Sequence, residues 1–113
     1  MEGLLHTEKK HDGGRVTVAL QGEMDLSNAA DVIDEFAATV ARRPTALDVD
    51  LSDLIYSDSV GLSVLATAHY QCIDHGVAFR ILNPNPFIER LLVVTGLNEL
   101  LLIVTSDDTL VGG

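Results

Sequence analysis

The pattern of apolar and polar positions changes its period several times along the chain. Every second residue is apolar over residues 15–21, which is the period of a half-buried strand. Residues 4–10 are predicted as its partner strand, because the intervening His-Asp-Gly-Gly of residues 11–14 has the chemistry of a tight turn. The chain is therefore predicted to open with an antiparallel hairpin.

Three later segments carry apolar residues at helical spacing. The first follows a cap at Ser27 or Asn28, and the second covers about residues 59–75. The third lies between Pro86, near a helix start, and Gly96. The predicted buried stripes are Ala29, Val32, Ile33, Phe36 and Val40; Leu62, Leu65, Cys72 and Ile73 with Ala66 and Ala68; and Phe87, Leu91 and Val94.

Strands are expected between and after these helices, at residues 47–51, 77–82 and 99–105. Residues 22–25 and 52–58 are expected to be loops. The order predicts a single α/β domain over residues 1–113, with a short tail at 106–113. Its mixed sheet has the antiparallel hairpin first and a β-α-β-α-β-α-β continuation with parallel crossovers.

Charge and composition narrow the classes of partner. The net charge is −10, with 17 acidic and 7 basic residues, so the surface repels nucleic-acid phosphates and anionic lipid. An acidic surface suits a basic protein partner. The alternative is that the acidity only keeps the protein soluble. No apolar run approaches the roughly 20 residues of a membrane span, and the start has no signal-peptide core. We expect a cytoplasmic protein without membrane insertion.

Few residues have the spacing of a catalytic or metal site. Cys72 is the single cysteine, which excludes an internal disulfide and predicts a small buried hydrophobe. The four histidines show no metal-ligand spacing. Asp48, Asp50 and Asp53 are interpreted as the solvated side of a strand plus a turn, with magnesium binding as an alternative. The chain is therefore expected to need no cofactor and no metal.

Two loops at the carboxyl ends of predicted strands could meet a partner, residues 22–25 and 56–61. The second loop leads into a helix, so Ser59 lies where unpaired N–H groups and the helix dipole tolerate a phosphate. Gly61 in the first turn leaves room for a close approach. Ser and Asp before a helix are also ordinary caps, and Asp58 or Ser57 can fill that role.

Three segments together resemble the STAS domain of anti-sigma factor antagonists. They are Gly-Glu-Met-Asp-Leu at residues 22–26, Asp-Ser-Val-Gly-Leu at residues 58–62, and Leu-Leu-Val-Val-Thr-Gly-Leu at residues 91–97. The resemblance covers roughly residues 5–104. Val60 departs from the family pattern, which often has a second small hydroxyl residue there, and the short tail departs from the family's usual further helix.

The resemblance implies a partner switch in which Ser59 is phosphorylated by an anti-sigma factor that is also a serine kinase. The unphosphorylated form would bind that factor and free a sigma factor, and a PP2C-like, metal-dependent serine phosphatase would restore it. The partner-binding residues carried over are Glu23, Asp25, Asp58, Val60 and Gly61.

Two other functions stay open at this point. One is a STAS-type structural component of a transporter or another signalling complex, in which Ser59 is never phosphorylated. The other is an enzyme or a phospho-aspartate receiver, which would need an acidic pair and a later lysine at strand ends. Because the chain's lysines are Lys9 and Lys10 in the first strand, we expect no enzyme activity.

Overall fold

One mixed sheet, packed against helices, forms the protein. The computed structural model describes residues 4–105, so the predicted tail at 106–113 lies outside the described residues. The elements are β1 (Leu5–Asp12), β2 (Arg15–Met24), α1 (Ala29–Ala41), β3 (Ala46–Asp50), β4 (Leu54–Ser57), α2 (Ser59–His75), β5 (Ala78–Leu82), α3 (Pro86–Val94), α4 (Leu97–Leu100) and β6 (Ile103–Val104).

The strand order confirms the predicted fold class. The sheet runs β1-β2-β3-β5-β6, with β4 paired to β2 outside this path. β1 and β2 form the antiparallel hairpin, and every other pairing is parallel. No helix within residues 4–105 is both long and apolar enough to cross a membrane.

The core lies between one face of the sheet and the helices. Val16, Val18 and Leu20 of β2 are buried, as their alternation predicts, and Phe36 of α1 is fully buried. Cys72 is also buried, and burial raises its pKa to about 11, so the thiol stays protonated at neutral pH. The aliphatic residues thus pack into one continuous cluster.

Two predicted helix stripes need correction. In α2, Ile73 is 59% exposed, while Val64 is buried in its place. In α3, the buried residues are Ile88 and Leu92, whereas Phe87 is 48% exposed and Val94 is 75% exposed. In each of these helices, a different set of apolar residues at helical spacing therefore faces the core.

Three segments also have a different secondary structure from the one expected. β2 continues to Met24 through the first expected loop, and the second expected loop contains the strand β4. Residues 97–100 are helical, and only Ile103–Val104 of the expected last strand pairs with the sheet. An apolar run of this length does not reveal by periodicity alone whether it is a helix or a strand.

Asp48 is not on a solvated strand side. Its side chain is only 2% exposed and accepts hydrogen bonds from Arg15 Nη1, at 2.9 and 2.8 Å, and from Arg80 Nε and Nη2, at 2.9 and 2.7 Å. Burial opposes its ionisation, but the bonds from Arg80 and Arg15 outweigh that effect and hold the pKa of Asp48 below its ordinary value. This carboxylate joins β2, β3 and β5 on the sheet face opposite the main core.

Candidate functional site

The two loops expected to meet a partner leave the sheet at neighbouring positions. β2 and β4 pair in parallel, with Glu23 opposite Tyr56 and Met24 opposite Ser57. Asp25 follows directly after β2, and Asp58 follows directly after β4. The strand expected at residues 47–51 corresponds to β3 and also pairs with β2, but β4 is the strand that brings the two loops together.

Asp58 is the N-cap residue of α2. Its Oδ1 accepts a hydrogen bond from Gly61 N, at 2.6 Å, and its carbonyl oxygen accepts one from Leu62 N, at 3.0 Å. Ser57 is 1% exposed, and its Oγ donates to the Asp58 carbonyl at 2.9 Å. Of the two cap candidates, Asp58 therefore forms the side-chain cap, while Ser57 lies buried beneath it.

Gly61 allows α2 to lie directly against the end of β2. A Cβ atom at Gly61 would stand 2.8 Å from Ser57 Oγ and closer still to the carbonyl oxygen of Met24. No side chain fits that space without movement of the backbone. Since Gly61 is buried, the room that it leaves is filled by this chain itself, beneath the exposed residues of the loop.

Ser59 and Val60 form the outward part of the loop. Ser59 is exposed, and its hydroxyl makes no hydrogen bond within residues 4–105. Val60 is 46% exposed. The other serine hydroxyl of this helix, that of Ser63, donates to the carbonyl of Val60 at 2.6 Å. Ser59 thus presents a free hydroxyl on the first turn of α2, whereas the hydroxyls of Ser57 and Ser63 are engaged.

The facing loop is held by its own side chains. Asp25 Oδ1 accepts from both the backbone N and the Oγ of Ser27, at 2.9 and 2.6 Å. Asn28 Oδ1 accepts from Asp25 N at 3.0 Å, and Asn28 Nδ2 donates to the carbonyl of Glu23 at 2.9 Å. Asn28 precedes α1 but makes no side-chain cap bond to it, so its amide fixes the loop instead.

Exposed apolar side chains lie on β4 and α3 beside the loop, and the sequence patterns did not single them out as a surface. Ile55 is 64% and Tyr56 43% exposed on β4, and Phe87 of α3 stacks on Tyr56 with ring centroids 5.8 Å apart. Asn85 ties α3 to this strand, because its Nδ2 donates to the carbonyl of Leu54 at 2.9 Å. We call the stacked pair Tyr56 and Phe87 the apolar flank. The clustering of large apolar residues around the loop motif was the available signal.

The arrangement suits recognition and modification of a serine. Exposed apolar and aromatic side chains beside a carboxylate-bearing loop are typical of protein interfaces. Within the part of the chain that the structure describes, no group of three or more His, Cys, Asp or Glu side chains is placed to hold a metal ion.

The comparisons with known proteins cover nearly the whole chain. The family model described as "Mlab, STAS domain" matches residues 7–105. The anti-sigma-F factor antagonist RsfB of Mycobacterium tuberculosis is 35% identical over 112 residues, which is 98% of this chain and 90% of that relative.

Solved structures give the same picture. An anti-sigma factor antagonist from Mycobacterium paratuberculosis is similar with a TM-score of 0.82 and 30% identity, over 96% of this chain and 93% of that one. SpoIIAA in its unphosphorylated form has a TM-score of 0.76 at 16% identity, over 93% of both chains. The phosphorylated form of this Bacillus cell fate determinant has a TM-score of 0.68 at 17% identity, over 95% of this chain and 96% of that one. At these lower identities SpoIIAA shows the fold alone.

Proposed function

Because this chain belongs to the STAS-domain anti-sigma factor antagonist family, we propose that it binds an anti-sigma factor with serine kinase activity and thereby releases a sigma factor. Phosphorylation of Ser59 by that kinase ends the binding. The observation that carries this proposal is the exposed, unbonded hydroxyl of Ser59 on the first turn of α2, beside the Asp25 loop.

Both the position of Ser59 and its neighbours support a switch there. A phosphate adds about −1.5 to −2 charges at neutral pH. The N-terminus of α2 tolerates this charge within the fold, because its N–H groups carry partial positive charge. Toward a partner the effect is opposite, because a bulky, strongly hydrated phosphate beside the exposed, apolar Val60 would have to lose its water in the contact. Phosphorylation therefore places charge and bulk at the contact without a need to rearrange the domain.

The proposed contact surface consists of Glu23, Asp25, Asp58, Ser59 and Val60 together with the apolar flank. Gly61 supports this surface from beneath, because it lets α2 lie against Met24. The stacked rings of Tyr56 and Phe87 add rigid aromatic area, which commonly carries much of the binding free energy at an interface.

The cycle closes with a PP2C-like serine phosphatase that removes the phosphate from Ser59. The chain itself has no turnover in this scheme: it is the substrate of one enzyme and then of the other. Its place of action is the cytoplasm, where the sigma factor acts.

The experiment is a pull-down from the native cell with wild-type, Ser59→Ala and Ser59→Asp baits, followed by mass spectrometry. Wild type and Ser59→Ala should capture an anti-sigma factor with a kinase domain, whereas Ser59→Asp should lose it. Ser63→Ala is the matched control, because Ser63 lies one turn further along α2 and its hydroxyl already bonds to the Val60 carbonyl.

The same experiment separates the alternative function. A structural STAS component would bring down transporter subunits, or another signalling complex, equally with all four baits. Phosphopeptide mapping of the wild-type protein adds an independent readout, since phosphate centred on Ser57 or Ser63 contradicts the assignment of Ser59.

A further inference from the structure

A cleft of about 530 Å³ opens at the end of the sheet opposite Ser59. It lies between the β1–β2 hairpin and the carboxyl end of α1, and its walls include Lys9, His11, Arg42 and Arg43. β2 runs its ten residues from the cleft to the Asp25 loop, a length of about 30 Å. The cleft is therefore separate from the surface of the proposed switch.

The cleft concentrates positive charge in an acidic chain. Lys9, Arg42 and Arg43 are three of the seven lysines and arginines, although the net charge is −10. Glu35 Oε1 lies 3.2 Å from Lys9 Nζ and offsets one of these charges. A concave surface with such an excess raises the local concentration of anions.

The side chain of Arg43 is held in place. Arg43 has a φ of +53°, a left-handed conformation that residues other than glycine rarely adopt, and its Nη1 donates to the carbonyl of His75 at 3.1 Å. At the end of α1, two carbonyl oxygens already accept hydrogen bonds from the N–H groups of Arg42 and Arg43. The negative end of the helix is thus partly satisfied internally.

The remaining lining defines the ligand class. Gly14, Val16, Thr39 and Pro44 complete it, so the residues that line the cleft include no carboxylate and, apart from the His11 imidazole, no aromatic ring. We propose that this cleft binds a compact, multiply charged phosphate anion of the diphosphate class through Lys9, Arg42 and Arg43. If these side chains merely complement the helix dipole, no saturable anion binding is expected.

The test is a titration of the isotopically labelled full chain with sodium pyrophosphate at constant ionic strength, followed by amide chemical shifts. Saturable shifts are expected at Gly14, Arg42 and Arg43. Lys9→Gln and Arg42→Gln should each weaken binding about five- to tenfold, because each removes one charge-assisted contact.

Lys10→Gln is the matched control. Lys10 follows Lys9 in β1 but lies on the other face of the strand, opposite Thr17, so its loss should leave the affinity unchanged. A parallel titration with ADP identifies the source of the diphosphate. Saturation by pyrophosphate alone indicates the free anion, and saturation by both indicates a diphosphate within a larger molecule; either supports the site.

Two results overturn the proposal. One is the absence of saturable shifts with both ligands while the spectra show a folded chain. The other is an equal loss of affinity in Lys10→Gln and Lys9→Gln, which would reduce the effect to general charge. Since Ser59 takes no part, neither result bears on the proposed switch.

Discussion

At the residue scale, Asp58, Ser59 and Gly61 have three different tasks within one helical turn. The Asp58 carboxylate caps the helix, Gly61 lets the helix approach β2, and Ser59 remains free between them. Because structural roles fall on the neighbours of Ser59, its hydroxyl can be modified without the loss of a contact that holds the fold.

The close approach at Gly61 gives a stability prediction. Gly61→Ala should lower the free energy of unfolding by about 1–3 kcal/mol, because the new Cβ would overlap the Met24 carbonyl and Ser57 Oγ. Urea denaturation followed by circular dichroism measures the change. Ser63→Ala, on an exposed face of α2, should change it by about 0.5 kcal/mol or less. An unchanged urea midpoint for Gly61→Ala would show that the contact is not tight.

Asp48 gives a second prediction, in which pH decides the outcome. Asp48→Asn should destabilise the fold by about 1–3 kcal/mol at neutral pH, because two guanidinium groups lose their shared carboxylate. Since the folded pKa of Asp48 is lowered, its contribution is complete above the unfolded value of about 3.9 and is lost as pH falls below it.

The free energies of unfolding of wild type and Asp48→Asn, measured by urea denaturation, should therefore converge as the pH falls below about 4. Asp53→Asn is the control, because Asp53 is an exposed carboxylate in the turn between β3 and β4. A difference between wild type and Asp48→Asn that stays constant down to pH 3 would contradict the role of the ionised carboxylate.

Asp58 was one of two cap candidates in the sequence, with Ser57, whereas the burial of Asp48 was not predicted, for a physical reason. A helix cap is local, so an Asp three residues before Gly61 already indicates it. The burial of Asp48 depends on Arg15 and Arg80, which lie 33 and 32 residues away and reach it only because β2, β3 and β5 are neighbours.

At the element scale, the hairpin and the positions of α1, α2 and α3 followed from turn chemistry and periodicity, whereas α4 and the strand β4 did not. This strand has four residues, and its exposed Ile55 and Tyr56 are consecutive, so no alternation marks it. Its pairing with β2 is a tertiary contact. In α3, residues 87, 88 and 91–94 are all apolar, so several stripes are possible and only packing against the sheet selects Ile88 and Leu92.

The pairing of β2 and β4 predicts that the two loops act as one interface. Asp25→Asn should weaken binding of the anti-sigma factor about 5- to 150-fold, a cost of about 1–3 kcal/mol, because it removes a charge beside the Ser59 loop. The fold should persist, since an asparagine oxygen can still accept the hydrogen bonds from Ser27.

Calorimetry measures this affinity, with circular dichroism as the check of folding. Asp34→Asn is the matched control, because it removes an exposed carboxylate from α1 without altering either loop. Equal weakening by both variants would indicate a general charge effect instead of a shared interface.

At the scale of the whole molecule, charge is distributed unevenly along the strands. The acidic loops and Ser59 lie at the carboxyl ends of β2 and β4, while the basic cleft lies at the opposite end of the sheet. Composition alone predicted the acidic surface and a basic partner, but it could not reveal the basic pole, because β1 and the end of α1 meet only in the folded chain.

This distribution predicts salt-dependent association. The affinity for the anti-sigma factor should fall as ionic strength rises from about 50 to about 300 mM, mainly through slower association, because salt screens the attraction of an acidic surface for a basic partner. Surface plasmon resonance separates the two rate constants. An affinity that rises with salt would point to an apolar contact between surfaces of like charge.

The most direct test of the switch is a calorimetric comparison of the unphosphorylated chain with a chain stoichiometrically phosphorylated at Ser59, each titrated with the cognate anti-sigma factor. The unphosphorylated chain should bind, and the phosphorylated chain should bind about 100-fold more weakly or not at all, while both remain folded. Equal affinities for the two forms would contradict the account.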